Sequence, residues 1–240
     1  MCTLEKRGNI FFLTLIRDDE HRLNPKLIGE IRSALSQVHA EATRGSVLVT
    51  TGQGKFFSNG FDLAWAESAG STGFLHRLHH MSGGLKAIIV DLLSLPMPTI
   101  AAVSGHAAAA GFLFALSHDY VLMRKDRGFL YMSELDIGLT LPDYFMALLR
   151  EKIQSPMARR DVVLQAAKVK AEEAVKMGII DSAHDSAAET LEAALRMGEK
   201  LALAARKWDG GIYAEIRKSS FPELCRALGL QSKTIVTPRL

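Results

Sequence analysis

Glu134 is the side chain with the clearest capacity for acid–base chemistry in this sequence. It stands among apolar neighbours in residues 131–143, where loss of solvent would raise its pKa towards the range of a general base. A helix-capping or ion-paired carboxylate is the alternative interpretation of this segment alone. Asp143, beside Pro142, is a rival base, whereas Asp136 would point to the other side of an extended segment.

Two glycine-containing segments could supply backbone donors to complement such a base. Residues 54–63 follow a predicted strand, and an irregular turn there would expose N–H groups at the strand end. Residues 104–112 join a strand to a helix predicted to begin near Gly111, where small side chains let a ligand approach the backbone. Taken singly, the first is also explained by a surface turn and the second by tight packing of an alanine-rich helix start.

Alternating strands and helices must position these segments. The runs 10–15, 47–50 and 99–103 predict buried strands, and Asn24-Pro25 predicts the start of a helix with apolar residues at helical spacing. Such alternation is typical of α/β folds with largely parallel strands, in which ligands collect at strand ends.

Two stretches depart from this alternation. Residues 64–95 predict a mobile segment that leads into a helix, and the chain beyond Pro156 predicts an all-α tail. The helices predicted in that tail are 158–167, 171–177 and 187–205.

Composition excludes several classes of protein. The 240 residues are 48% hydrophobic and 23% charged, which suits one folded domain rather than a disordered or fibrous chain. A net charge of +3 predicts no nucleic-acid partner, although it suits an anionic ligand. Cys2 and Cys225 form no disulfide framework. The uncharged stretch 99–117 is broken by Ser104 and Gly105, so we expect no membrane span.

Taken in order, these segments resemble the crotonase superfamily, also called the enoyl-CoA hydratase/isomerase family. The resemblance runs from about residue 5 to residue 205. Each motif is weak alone, but four in register are specific. They are the Phe-x-x-Gly-x-Asp-Leu stretch at 57–63, the small-residue turn and helix at 105–119, the Glu-x-x-x-Gly-x-x-x-Pro stretch at 134–142 and the Gly-Ile-Ile helix end at 172–181.

The resemblance implies an α/β fold, a spiral of ββα units with a helical C-terminal region. It places the spiral core with the acyl-CoA site in residues 1–185 and the helical region with its tail in residues 186–240 of the same structural unit. By motif position, the backbone N–H groups of Phe61 and Ala110 hold the thioester oxygen, and Glu134 is the base. The substrate and coenzyme A contacts implied in the same way are Ser58, Asn59, Gly60, Asp62, Leu63, Gly111 and Leu113.

One replacement favours isomerisation over hydration. Hydratases of the family carry two glutamates that hold a water, and here Leu113 stands at the position of the first while Glu134 keeps the second. The resemblance therefore implies a Δ3,Δ2-enoyl-CoA isomerase of fatty acid β-oxidation, with an extra residue between Gly138 and Pro142 as in mitochondrial-type isomerases. A hydratase and a non-catalytic acyl-CoA binding protein are the alternatives. No metal and no cofactor are expected, since coenzyme A is part of the substrate.

The C-terminus and the acyl pocket yield further expectations. The final Pro238-Arg239-Leu240 resembles a peroxisomal import tripeptide of a type seen in plants, which predicts a peroxisomal protein read by the import receptor. No N-terminal presequence is expected. The resemblance implies a homotrimer or hexamer. The residues expected to line the acyl pocket are Trp65, Phe74, Leu75, Leu78 and Met81.

Overall fold

The computed structural model describes residues 1–16 and 19–233. Its strands in chain order are β1 Cys2–Arg7, β2 Ile10–Leu15, β3 Val47–Gly52, β4 Phe56–Ser58, β5 Thr99–Val103, β6 His106–Ala108, β7 Tyr120–Arg124, β8 Leu130–Tyr131 and β9 Ser182–His184. Its helices are α1 Pro25–Ala40, α2 Leu63–Glu67, α3 Gly70–Ser94, α4 Ala110–Leu116, α5 Asp143–Lys152, α6 Pro156–Leu164, α7 Ala171–Lys176, α8 Ala187–Ala205, α9 Gly210–Ser220 and α10 Pro222–Leu228.

The larger sheet has six strands in the order β1-β2-β3-β5-β7-β9. β1 and β2 pair as an antiparallel hairpin, and the other neighbouring strands pair in parallel. Every residue of β3 is buried, as expected for a parallel strand covered on both faces. Along β2 the side chains alternate, so that Phe11 and Leu13 join the core beneath α1 and α3 while Ile10 and Phe12 pack with α8.

The smaller sheet, β4-β6-β8, is parallel and arises from a repeated unit. In each repeat, the chain runs through a strand of the larger sheet, then a strand of the smaller sheet, then a helix. The units are β3-β4 with α2 and α3, β5-β6 with α4, and β7-β8 with α5. This arrangement is the predicted succession of ββα units, and it collects the loops that follow β4, β6 and β8 on one side of the molecule.

α1 shows how local sequence fixes an element. The Asn24 side chain accepts a hydrogen bond from the backbone N–H of Leu27 at 3.0 Å, and Pro25 occupies the first helical turn. The predicted helix start is therefore confirmed. The same helix buries Leu27, Ile31 and Leu35 at helical spacing against the core.

The helix predicted within 64–95 is confirmed, but it is longer than expected, since α3 begins at Gly70 and the short helix α2 precedes it. The Asp62 side chain caps α2 by accepting from the N–H of Trp65 at 3.0 Å. Arg77 on α3 then donates to the backbone oxygen of Trp65 and holds the two helices together. Glycines and serines lower the helix propensity of this stretch, but burial of Met81, Leu85 and the apolar residues that follow outweighs that cost.

The prediction of an all-α tail is wrong, since β9 lies within it. β9 pairs in parallel with β7, through Leu122 with Ser182 and Met123 with Ala183. α8, which opens the predicted C-terminal region 186–240, packs its alanine face on the larger sheet. Among the described residues, no helix has both the length and the apolar character needed to cross a bilayer.

Candidate active site

A cavity of about 520 Å³ opens where the ββα units meet. Its walls are the loop before α2, one face of α3, the turn after β8 and the start of α5. Seventeen side chains or backbone segments line it: Arg22, Asn59, Phe61, Leu63, Leu75, Leu78, His79, Ser82, Ala109, Ser133, Glu134, Ile137, Leu139, Thr140, Leu141, Pro142 and Phe145. Most of this lining is apolar, which suits a hydrocarbon chain.

Two glycines bring the loops after β4 and β6 into direct contact. A Cβ on Gly111 would lie 2.3 Å from the backbone oxygen of Ser58, so only glycine fits there. Gly60 has a φ of +73°, and a Cβ on it would lie 3.0 Å from the oxygen of Ala108 and 3.4 Å from the nitrogen of Ala110. The two glycines therefore place the backbone N–H of Ala110 beside the loop that carries Phe61.

The N–H groups of Phe61 and Ala110 are left without acceptors within the described part of the chain. Around Phe61, the parallel bridge to Leu23 uses the oxygen of Gly60 and the nitrogen of Asp62, which turns the N–H of Phe61 away from the bridge. Ala110 is the first residue of α4 and has no acceptor one turn earlier. Both groups are therefore free to donate to a ligand oxygen.

Ala109 carries backbone strain at this point. Its φ is +50°, a region that residues with a Cβ rarely adopt, and its N–H is held by the oxygen of Tyr131 at 2.8 Å. The strained residue immediately precedes the peptide that carries the N–H of Ala110. Since α4 has only seven residues, the donor is best treated as a single peptide group rather than as a helix dipole.

Glu134 also lines the cavity, in the turn after β8. The side chain is 8% exposed, and its Oε2 atom has no hydrogen-bond partner in the part of the chain that the structure describes. Burial raises the pKa of Glu134 to about 7, although hydrogen bonds from its own backbone and that of Ser133 oppose the shift. A carboxylate with this pKa is ionised in a large fraction of molecules near neutral pH and remains basic enough to remove a proton.

The turn at 134–138 defines where neighbouring carboxylates point. The N–H of Ile137 donates to the oxygen of Ser133, and the N–H of Leu139 donates to the oxygen of Glu134 at 2.9 Å. The segment is therefore a turn and not extended, so the extended geometry predicted for Asp136 relative to Glu134 is wrong. Asp136 is nevertheless exposed, and the rival base Asp143 is exposed at the start of α5 without lining the cavity.

The implied contact residues divide into two groups. Asn59 and Leu63 line the cavity together with Phe61. Ser58, Gly60, Gly111 and Leu113 are buried in the fold and are absent from the lining; Asp62 is occupied as the α2 cap and accepts from Asn24. The structure thus places this second group outside the cavity lining, and its contacts with the substrate stay a prediction.

The acyl-pocket prediction needs a similar correction. Leu75 and Leu78 line the cavity, but Met81 is fully buried in the core, and Trp65 and Phe74 are half-buried without lining it. Sequence reasoning missed several lining residues on α3, α5 and the loop between β8 and α5: His79, Ser82, Leu139, Thr140, Leu141 and Phe145. Helical spacing from Leu75 and Leu78 would have identified the two on α3 once that segment was taken as a helix.

Among residues 1–16 and 19–233, no group of three or more His, Cys, Asp or Glu side chains is arranged to hold a metal ion. The polar groups of the cavity lining include the buried carboxylate of Glu134, with Arg22 and His79 among the others, and Phe61 and Ala109 line it beside the free N–H groups of Phe61 and Ala110. Such a set stabilises negative charge on an oxygen while a proton moves to and from a nearby carbon.

Comparison with known proteins identifies the family. The enoyl-CoA hydratase/isomerase family model matches residues 5–227. The chain is 59% identical over 242 residues to "Enoyl-CoA delta isomerase 2, peroxisomal" of Arabidopsis thaliana, covering 100% of both chains. It is 56% identical over 225 residues to "Enoyl-CoA delta isomerase 1, peroxisomal" of the same plant, covering 93% of this chain and 91% of that one. The chain therefore belongs to the enoyl-CoA hydratase/isomerase family.

A solved structure confirms the predicted fold. The apo enoyl-CoA isomerase of Mycobacterium tuberculosis superposes with a TM-score of 0.83 at 21% identity, covering 95% of this chain and 94% of that chain. At this identity the likeness concerns the fold alone. The crotonase-like spiral expected from the four motifs is thus the architecture observed.

Proposed function

We propose that this protein is a Δ3,Δ2-enoyl-CoA isomerase in which Glu134 is the only base. The observation that carries the proposal is the buried carboxylate of Glu134, whose Oε2 atom has no partner in the described part of the chain, in a cavity lined by Phe61 and Ala109, beside the acceptor-free N–H groups of Phe61 and Ala110. The two plant relatives are named as isomerases of this type and share more than half of their residues with this chain.

The reaction balances with one carboxylate. Ionised Glu134 removes a proton from C2 of a 3-enoyl thioester, and the electron pair moves into the thioester to form a dienolate. The N–H groups of Phe61 and Ala110 donate to the enolate oxygen, where the negative charge develops. The carboxylic acid then returns its proton to C4, the double bond becomes C2=C3, and Glu134 is ionised again. No cofactor enters the sequence, because coenzyme A is part of the substrate.

Hydration is disfavoured by the residue that stands at the position of the first hydratase glutamate. Leu113 lies on α4, is fully buried in the core and offers no group that could orient a water. The apolar walls, including Leu63 and Leu78, favour a dry site in which the dienolate is protected from water. A purely binding role would give no function to Glu134, although burial of a carboxyl group whose Oε2 atom has no partner in the described part of the chain costs stability.

Two parallel incubations distinguish the isomerase, the hydratase and the binding protein. Purified protein is given a 3-enoyl-CoA in one reaction and a 2-enoyl-CoA in another, and the products are separated by chromatography. We expect 2-enoyl-CoA from the first and almost no 3-hydroxyacyl-CoA from the second. Abundant 3-hydroxyacyl-CoA would instead identify a hydratase, and unchanged substrate in both reactions would identify an acyl-CoA binding protein.

We also propose that the protein resides in peroxisomes and is recognised by the import receptor through Pro238-Arg239-Leu240. These residues lie outside the described part of the chain, so the support is the tripeptide itself and the peroxisomal names of the two relatives. A fluorescent reporter that carries only the last ten residues is expected to enter peroxisomes. A diffuse cytosolic reporter, with full-length protein unmoved by deletion of Leu240, would contradict this. The homotrimer or hexamer stays a prediction.

A further inference from the structure

One wall of the cavity is a single face of α3. Its members, from the mouth inwards, are Leu75, Leu78, His79 and Ser82, which we call the α3 stripe. Their spacing is that of one helix face, and at 1.5 Å per residue the stripe is about 10 Å long. Leu75 and His79 are exposed, Leu78 and Ser82 are half-buried, and Leu85, the next residue on this face, is fully buried. The inner end of the stripe therefore lies at Ser82.

At this inner end, the hydroxyl groups of Ser82 and Tyr144 connect α3 to α5. The Tyr144 hydroxyl donates to the backbone oxygen of Ser82 at 2.9 Å, which uses its only proton. The Ser82 hydroxyl is consequently the donor in the 3.0 Å contact between the two side chains. Tyr144 is 5% exposed and precedes Phe145, which also lines the cavity. The pair thus links α3 to α5 where the lining stops.

We propose that the Ser82–Tyr144 pair is the inner end of the acyl site and sets the length of the acyl chain that is accepted. The inference rests on the proposed isomerase function, because it assumes that the thioester lies at Glu134. The substrate tail then runs along the α3 stripe, with its last carbons against Ser82. Neither Leu85 nor Met81 leaves room beyond that point, since both are fully buried in the core.

The chemistry of the pair suits an apolar chain end. Both hydroxyl protons are already used within the protein, so a hydrocarbon placed against them leaves no donor unsatisfied. The small side chain of Ser82 also leaves volume that a larger residue would occupy. Ser82 is therefore a specificity-determining residue, and Tyr144 holds it in place from α5.

Ser82→Leu tests the proposal with two thioesters, 3-hexenoyl-CoA and 3-dodecenoyl-CoA. Leucine would occupy the space of the terminal carbons, and each excluded methylene loses its burial. We expect the ratio of kcat/KM for the long substrate to that for the short one to fall about tenfold or more. An unchanged ratio, whether or not both values fall together, would overturn the proposal.

One control variant and one binding measurement separate this outcome from loss of folding or of function. Gly83→Leu adds the same side chain one residue along, where no atom lies within 4 Å of a Cβ, and it is expected to keep the wild-type ratio. Calorimetric titration with hexanoyl-CoA and dodecanoyl-CoA needs no catalysis. A loss of affinity in Ser82→Leu for dodecanoyl-CoA but not for hexanoyl-CoA would support the inner-end assignment even if isomerisation proved absent. If Ser82→Leu binds both ligands as tightly as the wild type does, the assignment is contradicted.

Discussion

Glu134→Gln is expected to lower kcat for 3-enoyl-CoA isomerisation by about 10³-fold or more, because glutamine keeps the shape of the side chain and cannot accept the C2 proton. Affinity for the thioester should stay nearly unchanged, since binding comes from the apolar walls and the backbone donors. Steady-state kinetics together with titration of a saturated acyl-CoA measure the two effects separately.

Two controls accompany this variant. Asp143→Asn alters the rival base, which is exposed and outside the cavity lining, and it should retain most activity. Glu134→Gln should be no less stable than wild type above pH 7. The raised pKa of Glu134 means that its ionisation opposes folding as pH rises from about 4.5 through about 7, and glutamine removes that effect. If the activity of Glu134→Gln stayed within tenfold of the wild-type activity, Glu134 would not be the base.

Gly111→Ala is expected to have the next largest effect, although residue 111 does not line the cavity. Its Cβ would lie 2.3 Å from the oxygen of Ser58 and 2.7 Å from the Cβ of Ser58, so the loop after β4 must move. That movement displaces the N–H of Phe61 relative to Ala110. The loss of one aligned donor predicts a fall in kcat of about 10²-fold, and overpacking predicts a loss of about 1–3 kcal/mol in stability.

Gly83→Ala is the matched control for Gly111→Ala. It makes the same chemical change inside α3, where no atom lies within 4 Å of the added Cβ. We expect unchanged activity and an equal or higher melting temperature, because alanine favours a helix over glycine. A Gly111→Ala protein with wild-type kcat and melting temperature would show that the contact with Ser58 does not position the donors.

The sequence predicts those parts of the site whose residues are close together along the chain. Strand, turn and helix follow one another within each ββα unit, so the order of apolar runs and glycine turns predicts β2, β3 and β5 and the loops that carry Phe61 and Ala110. Glu134 is predictable for the same reason, since its apolar neighbours are adjacent in sequence. Family resemblance supplies the roles, and the structure supplies the burial that raises its pKa.

What the sequence leaves undetermined depends on contacts between distant segments. Ser82 and Tyr144 are 62 positions apart, and nothing local indicates that their hydroxyls meet. Arg217 reaches back 98 positions to the carboxylate of Asp119 and anchors α9 beside the end of α3, which no periodicity reveals. The burial of Leu113, which removes it from the cavity lining, likewise follows from packing and not from motif position.

The pH dependence of kcat/KM for wild-type isomerisation tests most directly whether buried Glu134 is the base. A base acts in its ionised form, and burial raises the pKa of Glu134 to about 7. We therefore predict that kcat/KM rises with pH through one ionisation near pH 7 and then reaches a plateau. A profile that is flat from pH 5.5 to 8.5, or that falls as pH rises through 7, would contradict the account.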